Sequence, residues 1–308
     1  MIRNAWRHMS PMQRREARTG MLFVLPWLLG LLIFMAYPIL ASFFLSLTDY
    51  SLMKAPVWVG LQNYQTLLTV DSSFWPAVGN SFYYALLSVP LGLAVSLALA
   101  LILNMRTVGI GIYRTLFYLP TVVPPIVATI VFIVLFEPQA GPINTLIRST
   151  GLAAPMWFSD PTWAKPGLVI MSLWGIGAST LIFLAGLQDI PQGLLDAAAI
   201  DGAGPIQKFW YVTLPLLSPV ILFNLVMNTI YAFQVFDQPL VIGGTTGDPF
   251  QSLLMYMVLI YRNAFRYFKL GYASAMSVIL FVGVMLITLL IFRSARLWVF
   301  SERDEAGQ

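Results

Sequence analysis

The sequence predicts an all-α, polytopic membrane protein with about six transmembrane helices. Three observations predict it. The chain is 58% hydrophobic and only 10% charged, with a mean hydropathy of +0.79, whereas soluble domains carry roughly 25% charge. A water-soluble core of 308 residues has no room for that much apolar surface. Six apolar runs, at residues 20–47, 79–103, 113–136, 167–187, 215–236 and 272–292, each match the length of about 20 residues that a helix needs to cross a bilayer. Finally, basic residues are distributed unevenly between the two sides.

That charge bias orients the chain. Eleven of the seventeen Lys and Arg fall in the set of segments that includes both termini. The positive-inside rule then places both termini in the cytoplasm. The expected layout is a basic N-terminal tail (1–19), a membrane domain (20–292) and a short C-terminal tail (293–308). Arg3, Arg7, Arg14, Arg15 and Arg18 precede an apolar run too long for a cleaved signal peptide, and they suit anionic lipid. The first run is long enough to tilt. Trp58, Trp75, Trp157, Trp163, Trp210 and Trp298 sit near span ends, where amphipathic rings collect.

Two loops depart from the simple pattern. Arg262, Arg266 and Lys269 put positive charge on the outer side; with Phe265, Tyr267 and Phe268 they predict a short amphipathic helix along the interface. The inner loop after span four is acidic, with Asp189, Asp196 and Asp201 against Lys208 alone. Topology does not call for this, but a partner surface does. Prolines 26, 38, 90, 120, 124 and 125 lie in or beside spans, and the Pro124–Pro125 pair is read as a kink in span three rather than an unwound break.

Composition also excludes chemistry. With no cysteine there are no disulfides and no thiolate metal sites. The single histidine, His8, lies in the polar tail. No metal site, catalytic constellation or phosphate loop is expected: GGTTGDP (residues 243–249) lacks the Gly-Lys-Ser/Thr that a phosphate loop requires and reads as an external turn. The net charge of +4 reflects topology, not nucleic-acid binding.

The inner loop at 188–214 carries the strongest motif. Pro191 suits a first helical turn. Leu194, Leu195, Ala198 and Ala199 share an apolar face, and Asp196 stands beside small alanines that let another surface come close. Gly202 permits a reversal, Pro205 opens a second helix bearing Ile206, Phe209 and Trp210, and Pro215 begins span five. The reading is helix, glycine turn, helix, membrane.

In order, Asp196-Ala197-Ala198, Asp201-Gly202-Ala203, Phe209 and Leu214-Pro215 resemble the EAA signature of permease subunits in binding-protein-dependent ABC importers. Supporting stretches are LPWLLGLLIFMAYPILASFFLSLTDY (25–50), VGLQNY (59–64), YRTLFYLPTVVPPIV (113–127), LAGLQDIPQGLLDAAAIDGA (184–203), IGG (242–244) and YRNAF followed by GYASAMS (261–277). They are similar to the first membrane subunit of carbohydrate importers of the maltose and glycerol-3-phosphate type. The resemblance implies a type I importer permease fold in which the 190–215 loop couples to a separate ATPase. It further implies a heterodimer with a second, similar permease, an ATPase dimer carrying ATP and Mg, and an extracytoplasmic sugar-binding protein. No cofactor is expected on this chain. One departure is Asp196, where the family usually has Glu; the charge is kept and its reach shortens by one methylene.

Candidate pathway residues come from polar groups inside spans. Asn224, Asn228 and Tyr231 at i, i+4 and i+7 share a helical face that Gln234 extends. Their amides suit sugar hydroxyls, and the same groups can instead glue helices together. In span four Ser172, Gly175 and Ser179 are small enough for close packing, and Trp174 is the candidate for sugar contact. The rival class, an ion-gradient-driven transporter of a small polar solute, is expected to bury ionisable groups within its spans. These spans carry almost none, Arg114 lying near a boundary and Asp237 just past span five.

Overall fold

Prolines open about half of the helices in the computed structural model, which describes residues 10–105 and 108–300. His8, Arg3, Arg7, Arg106, Arg303 and the last eight residues of the tail lie outside the described residues. Helix α1, Pro11–Leu45, opens on a reciprocal cap: Ser10 Oγ accepts from the Gln13 N–H at 3.2 Å, and Gln13 Oε1 accepts from the Ser10 N–H at 2.9 Å. The basic tail is therefore helical from Pro11 onward. Most of α1 stands clear of the rest of the chain, and its last turns pack on the final helix, with Phe43 edge-on to Phe281.

A short antiparallel hairpin follows, β1 Thr48–Ser51 and β2 Lys54–Trp58, which the all-helical expectation did not contain. The signal was a short mixed stretch outside any span, TDYSLMKAPVW (48–58), too brief for period-2 patterning to stand out. Next come α2 (Gln62–Thr69) and the second span, α3 (Phe74–Leu103), unbroken despite Pro90.

Span three is not kinked but broken. Helix α4 (Ile110–Tyr118) and its short extension through Val122 meet α5 (Pro125–Leu135) at 98°. Val123 is extended, because a residue before proline is pushed out of the helical region, and Pro124 repeats the effect. Two consecutive prolines thus exclude the helix for longer than a single kink can absorb. After α6 (Pro142–Ser149), span four is α7 (Pro161–Ser172) and α8 (Gly177–Gln188), bent by 50° at Leu173–Gly175.

Helix α9 (Gln192–Ile200) and α10 (Pro205–Lys208) form the loop before span five. A π turn, Phe209–Thr213, carries α10 into α11 (Leu214–Phe233). A similar turn, Leu32–Ala36, lies in α1. Each precedes a proline by two residues, Pro38 and Pro215. Widening the turn takes the carbonyl four residues back away from the ring, so the rod continues through a residue that otherwise breaks it.

Helix α12 (Asp237–Gly243) leads to a buried segment, α13 (Tyr256–Tyr261) with the turn Arg262–Arg266, and then to the last span, α14 (Leu270–Ala295). The interfacial helix expected at 262–269 is only half right. Arg262, Asn263 and Ala264 are buried while Phe265, Arg266, Tyr267 and Phe268 face outward. The segment dips into the fold because Asn80 Nδ2 donates to the carbonyls of Gln251 and Leu254, and Ser81 Oγ accepts from the Tyr256 N–H. Counting each bent pair once, there are six candidate spans among the described residues.

Two cores hold this together. The larger surrounds Leu253, Leu254, Met255 and Leu259 toward the hairpin end. The smaller joins Ala100, Leu103, Phe183, Leu187 and Leu217 at the opposite end, where Arg114 also hooks the Leu103 carbonyl with Nε and Nη2 at 3.3 and 3.0 Å. Within the smaller core α8 touches α11 at Gly186: a Cβ there would fall 2.7 Å from Val220 Cγ2 and 2.9 Å from Leu217 Cδ1. Gly186→Val should therefore overpack the contact at a cost of about 1–3 kcal/mol and lower the melting temperature in detergent. Gly193→Ala, at a position with open space, should not. Equal melting of the two variants would show that the close approach is unimportant.

Candidate functional site

The acidic loop is built as a rigid elbow. Helix α9 ends in a complete Schellman closure: Ala203 N–H donates to the Ala198 carbonyl at 2.9 Å and Gly202 N–H to that of Ala199 at 3.1 Å. Gly202 sits at φ +83° with open space around it, so conformation and not crowding demands glycine. Beyond it, Gln207 Oε1 accepts the Gly204 N–H at 2.8 Å and fixes the start of α10. All seven predicted coupling residues gather on this elbow. Asp196, Ala197, Asp201 and Gly202 are exposed, and Ala198, Ala203 and Phe209 are half-buried. Gln192 Nε2 donates to Asp196 Oδ1 at 3.2 Å, which orients the carboxylate.

Large apolar groups flank the acidic ones. Ile200 is 88% exposed and Tyr211 80%, with Ile206 and Trp210 also exposed. Apolar side chains interleaved with carboxylates on a protruding turn make a surface suited to a protein partner.

Farther along the same helices lies a cleft of about 330 Å³. Tyr84, Ser88 and Gly92 of α3 form one wall, Ser172, Gly175 and Ser179 of span four another, and Asn228, Tyr231 and Gln234 a third. Asp237 and Gln238 close one end. Asn228 Nδ2 donates to Ser179 Oγ at 3.1 Å and to the Asn224 carbonyl at 2.9 Å, so it ties span five to span four at the cleft wall. Tyr231 is exposed, and its hydroxyl has no hydrogen-bond partner among the described residues.

Two predicted pathway residues lie elsewhere. Asn224 is 1% exposed and turns its amide back to the Val220 carbonyl at 3.1 Å, away from the cleft. Its polar group satisfies its own helix where no water reaches. Trp174 packs edge-on to Phe132 with 5.8 Å between ring centres and does not line the cleft. Tyr84 and Ser88 were not singled out from sequence. The stripe Asn80, Tyr84, Ser88 at i, i+4, i+8 through an apolar run was their signal.

The elbow depends on one backbone conformation. Gly202→Val should force a β-branched residue into the left-handed region at about 1–3 kcal/mol. Hydrogen exchange of the Gly202 and Ala203 amides should accelerate roughly tenfold or more. Unchanged exchange would show that the closure does not hold the elbow.

With this geometry in place, kinship is informative. Residues 88–299 match the family described as binding-protein-dependent transport system inner membrane component. The chain is 42% identical over 293 residues to the Bacillus subtilis probable ABC transporter permease protein YesP, covering 95% of each chain. It is 34% identical over 293 residues to the Thermococcus litoralis trehalose/maltose transport system permease protein MalF, covering 93% of this chain and 97% of that one. The fold is also that of a chain in a bacterial alginate ABC transporter crystallised with an alginate pentasaccharide-bound periplasmic protein, with a TM-score of 0.80 at 21% identity over 93% of this chain and 98% of that one. Six candidate spans among the described residues, an elbow between the fourth and fifth, and a match across more than half its length place this chain in the family of inner membrane components of binding-protein-dependent transport systems.

Proposed function

We propose that this chain is one permease subunit of an ATP-driven carbohydrate importer and that it couples to a separate ATPase dimer through the elbow. The observation that carries this reading is mechanical continuity. Helix α10 runs through the π turn into α11, and α9 joins span four through only Asp189–Pro191. Spans four and five are also the elements that supply Ser172, Ser179, Asn228 and Tyr231 to the cleft. From Pro205 to Asn228 the rod is roughly 35 Å long at 1.5 Å per residue. A push on the elbow therefore moves two cleft walls.

In this reading the elbow faces the cytoplasm, both termini lie on that side, and Asp196 meets a basic group on the ATPase. ATP and Mg reside on that partner. A second, similar permease completes the pathway, and an extracytoplasmic sugar-binding protein delivers the ligand. The names of the trehalose/maltose and alginate systems support a sugar substrate. So does the chemistry of the cleft: amides and hydroxyls match sugar hydroxyls, and the exposed Tyr231 ring offers a face for stacking.

Asp196→Lys, in a complex reconstituted with the cognate ATPase, should reduce transport-coupled ATP hydrolysis at least tenfold by placing like charges across the contact. The membrane fold should remain intact by size-exclusion profile. Normal coupling would reject the elbow as the docking point. Asn228→Leu should raise the substrate concentration for half-maximal uptake several-fold while assembly proceeds, since about 1 kcal/mol attaches to a partly buried polar contact. Unchanged uptake would make Asn228 a packing residue only.

A further inference from the structure

A second polar cleft, of about 500 Å³, opens at the hairpin end. Its walls are the β1–β2 hairpin, α2 and the turn after α13, with Asp49, Asn63, Asp71, Arg262, Lys269 and Tyr272 among the lining residues. Arg262 is the anomaly. It is only 9% exposed, and its Nε is sealed from solvent without a hydrogen-bond partner among the described residues. Its Cζ lies 5.9 Å from the centre of the Tyr267 ring. Asp71 is engaged elsewhere: Oδ2 accepts from the Tyr272 hydroxyl and Oδ1 from the Ser73 N–H, both at 2.8 Å.

Burying a guanidinium whose Nε meets no acceptor among the described residues is costly. Arg262 is moreover one of three cations, with Arg266 and Lys269, on the side where the positive-inside rule disfavours them. A fold that bears both costs at one cleft gains most when an oxyanion enters. The surroundings indicate its source. The hairpin that walls the cleft exposes Leu52 and Met53, the latter by 91%, and the turn that holds Arg262 exposes Phe265. Apolar anchors beside an unmatched charge are the make-up of a protein interface rather than of a small-anion site.

We propose that this cleft receives an Asp or Glu side chain of the solute-binding protein, paired with the Arg262 guanidinium, while the exposed Arg266 and Lys269 steer the approach. The proposal rests on the reading above that a binding protein serves this permease from the hairpin side. Arg262 suits the task because a planar guanidinium can hold a carboxylate through two parallel bonds.

The test uses the complete transporter in nanodiscs, titrated with its binding protein, with ATP hydrolysis as the readout. Arg262→Gln should raise the concentration for half-maximal stimulation roughly tenfold or more. The unstimulated rate and the rate at saturation should stay the same. Neutralising acidic side chains of the binding protein one at a time should find one that gives a similar shift with the unaltered permease and adds little on top of Arg262→Gln. An unchanged half-maximal concentration in Arg262→Gln overturns the proposal. So does a binding protein in which no acidic substitution matters, a result independent of whether the Arg262 variant folds. Lost transport of an acidic sugar with an unchanged binding-protein titration overturns it in favour of a soluble anion. If the unaltered complex is not stimulated by any binding protein, the failure belongs to the permease reading and not to the role of Arg262.

Discussion

The joint at Gly202 is the constraint on which the rest of the structure depends. A left-handed residue reverses the chain, two carbonyls of α9 are answered by the amides of Gly202 and Ala203, and α10 begins at once on Pro205. That makes the elbow stiff. Stiffness matters because the cleft lies far along the same rods, and a soft joint would absorb a push before it reached Asn228. The elbow's exposed Ile200, Ile206 and Tyr211 would be a liability in a free protein, and beside Asp196 and Asp201 they form an apolar surface with charged edges.

The second constraint is that an apolar surrounding leaves no stray backbone group unanswered. The chain breaks its helices often, and several of the freed groups are answered by side chains or by a widened turn. Arg114 answers the carbonyl at the end of α3. The π turns at 32–36 and 209–213 carry the rod past Pro38 and Pro215. Asn80 and Ser81 tie the buried segment before α13 to span two. Even the end of the described chain obeys this: Ser218 Oγ accepts the Phe300 N–H at 2.8 Å, docking the C-terminal turn on the foot of span five.

The two ends of the molecule differ in kind. The elbow presents fixed carboxylates and apolar groups, all visible as surface. The hairpin end hides its charge in a cleft, with Arg262 buried and its exposed neighbours arranged around it. One end is a protruding turn and the other encloses a polar cleft. The central cleft between them is walled by helices that reach toward both, and that arrangement suits a pathway whose two gates answer to different partners.

Much was legible in the sequence, for reasons of scale. Twenty apolar residues have one stable form in a bilayer, so the spans could be read from length alone, and the elbow followed from Pro191, Gly202 and Pro205, which act on the backbone within a few residues. Side-chain partners could not be read this way. The i, i+4 spacing put Asn224 and Asn228 on one face, but only the packing of span four against span five decided that Asn228 borders a cleft while Asn224 turns inward. The descent of α13 into the core rests on contacts between residues more than 170 positions apart, Asn80 with Gln251 and Ser81 with Tyr256, whereas the break in span three follows from its two consecutive prolines. Local propensity determined the rods and their joints; the tertiary structure decided which polar groups were left facing a cavity, because satisfaction of a buried donor or acceptor depends on what distant chain arrives beside it.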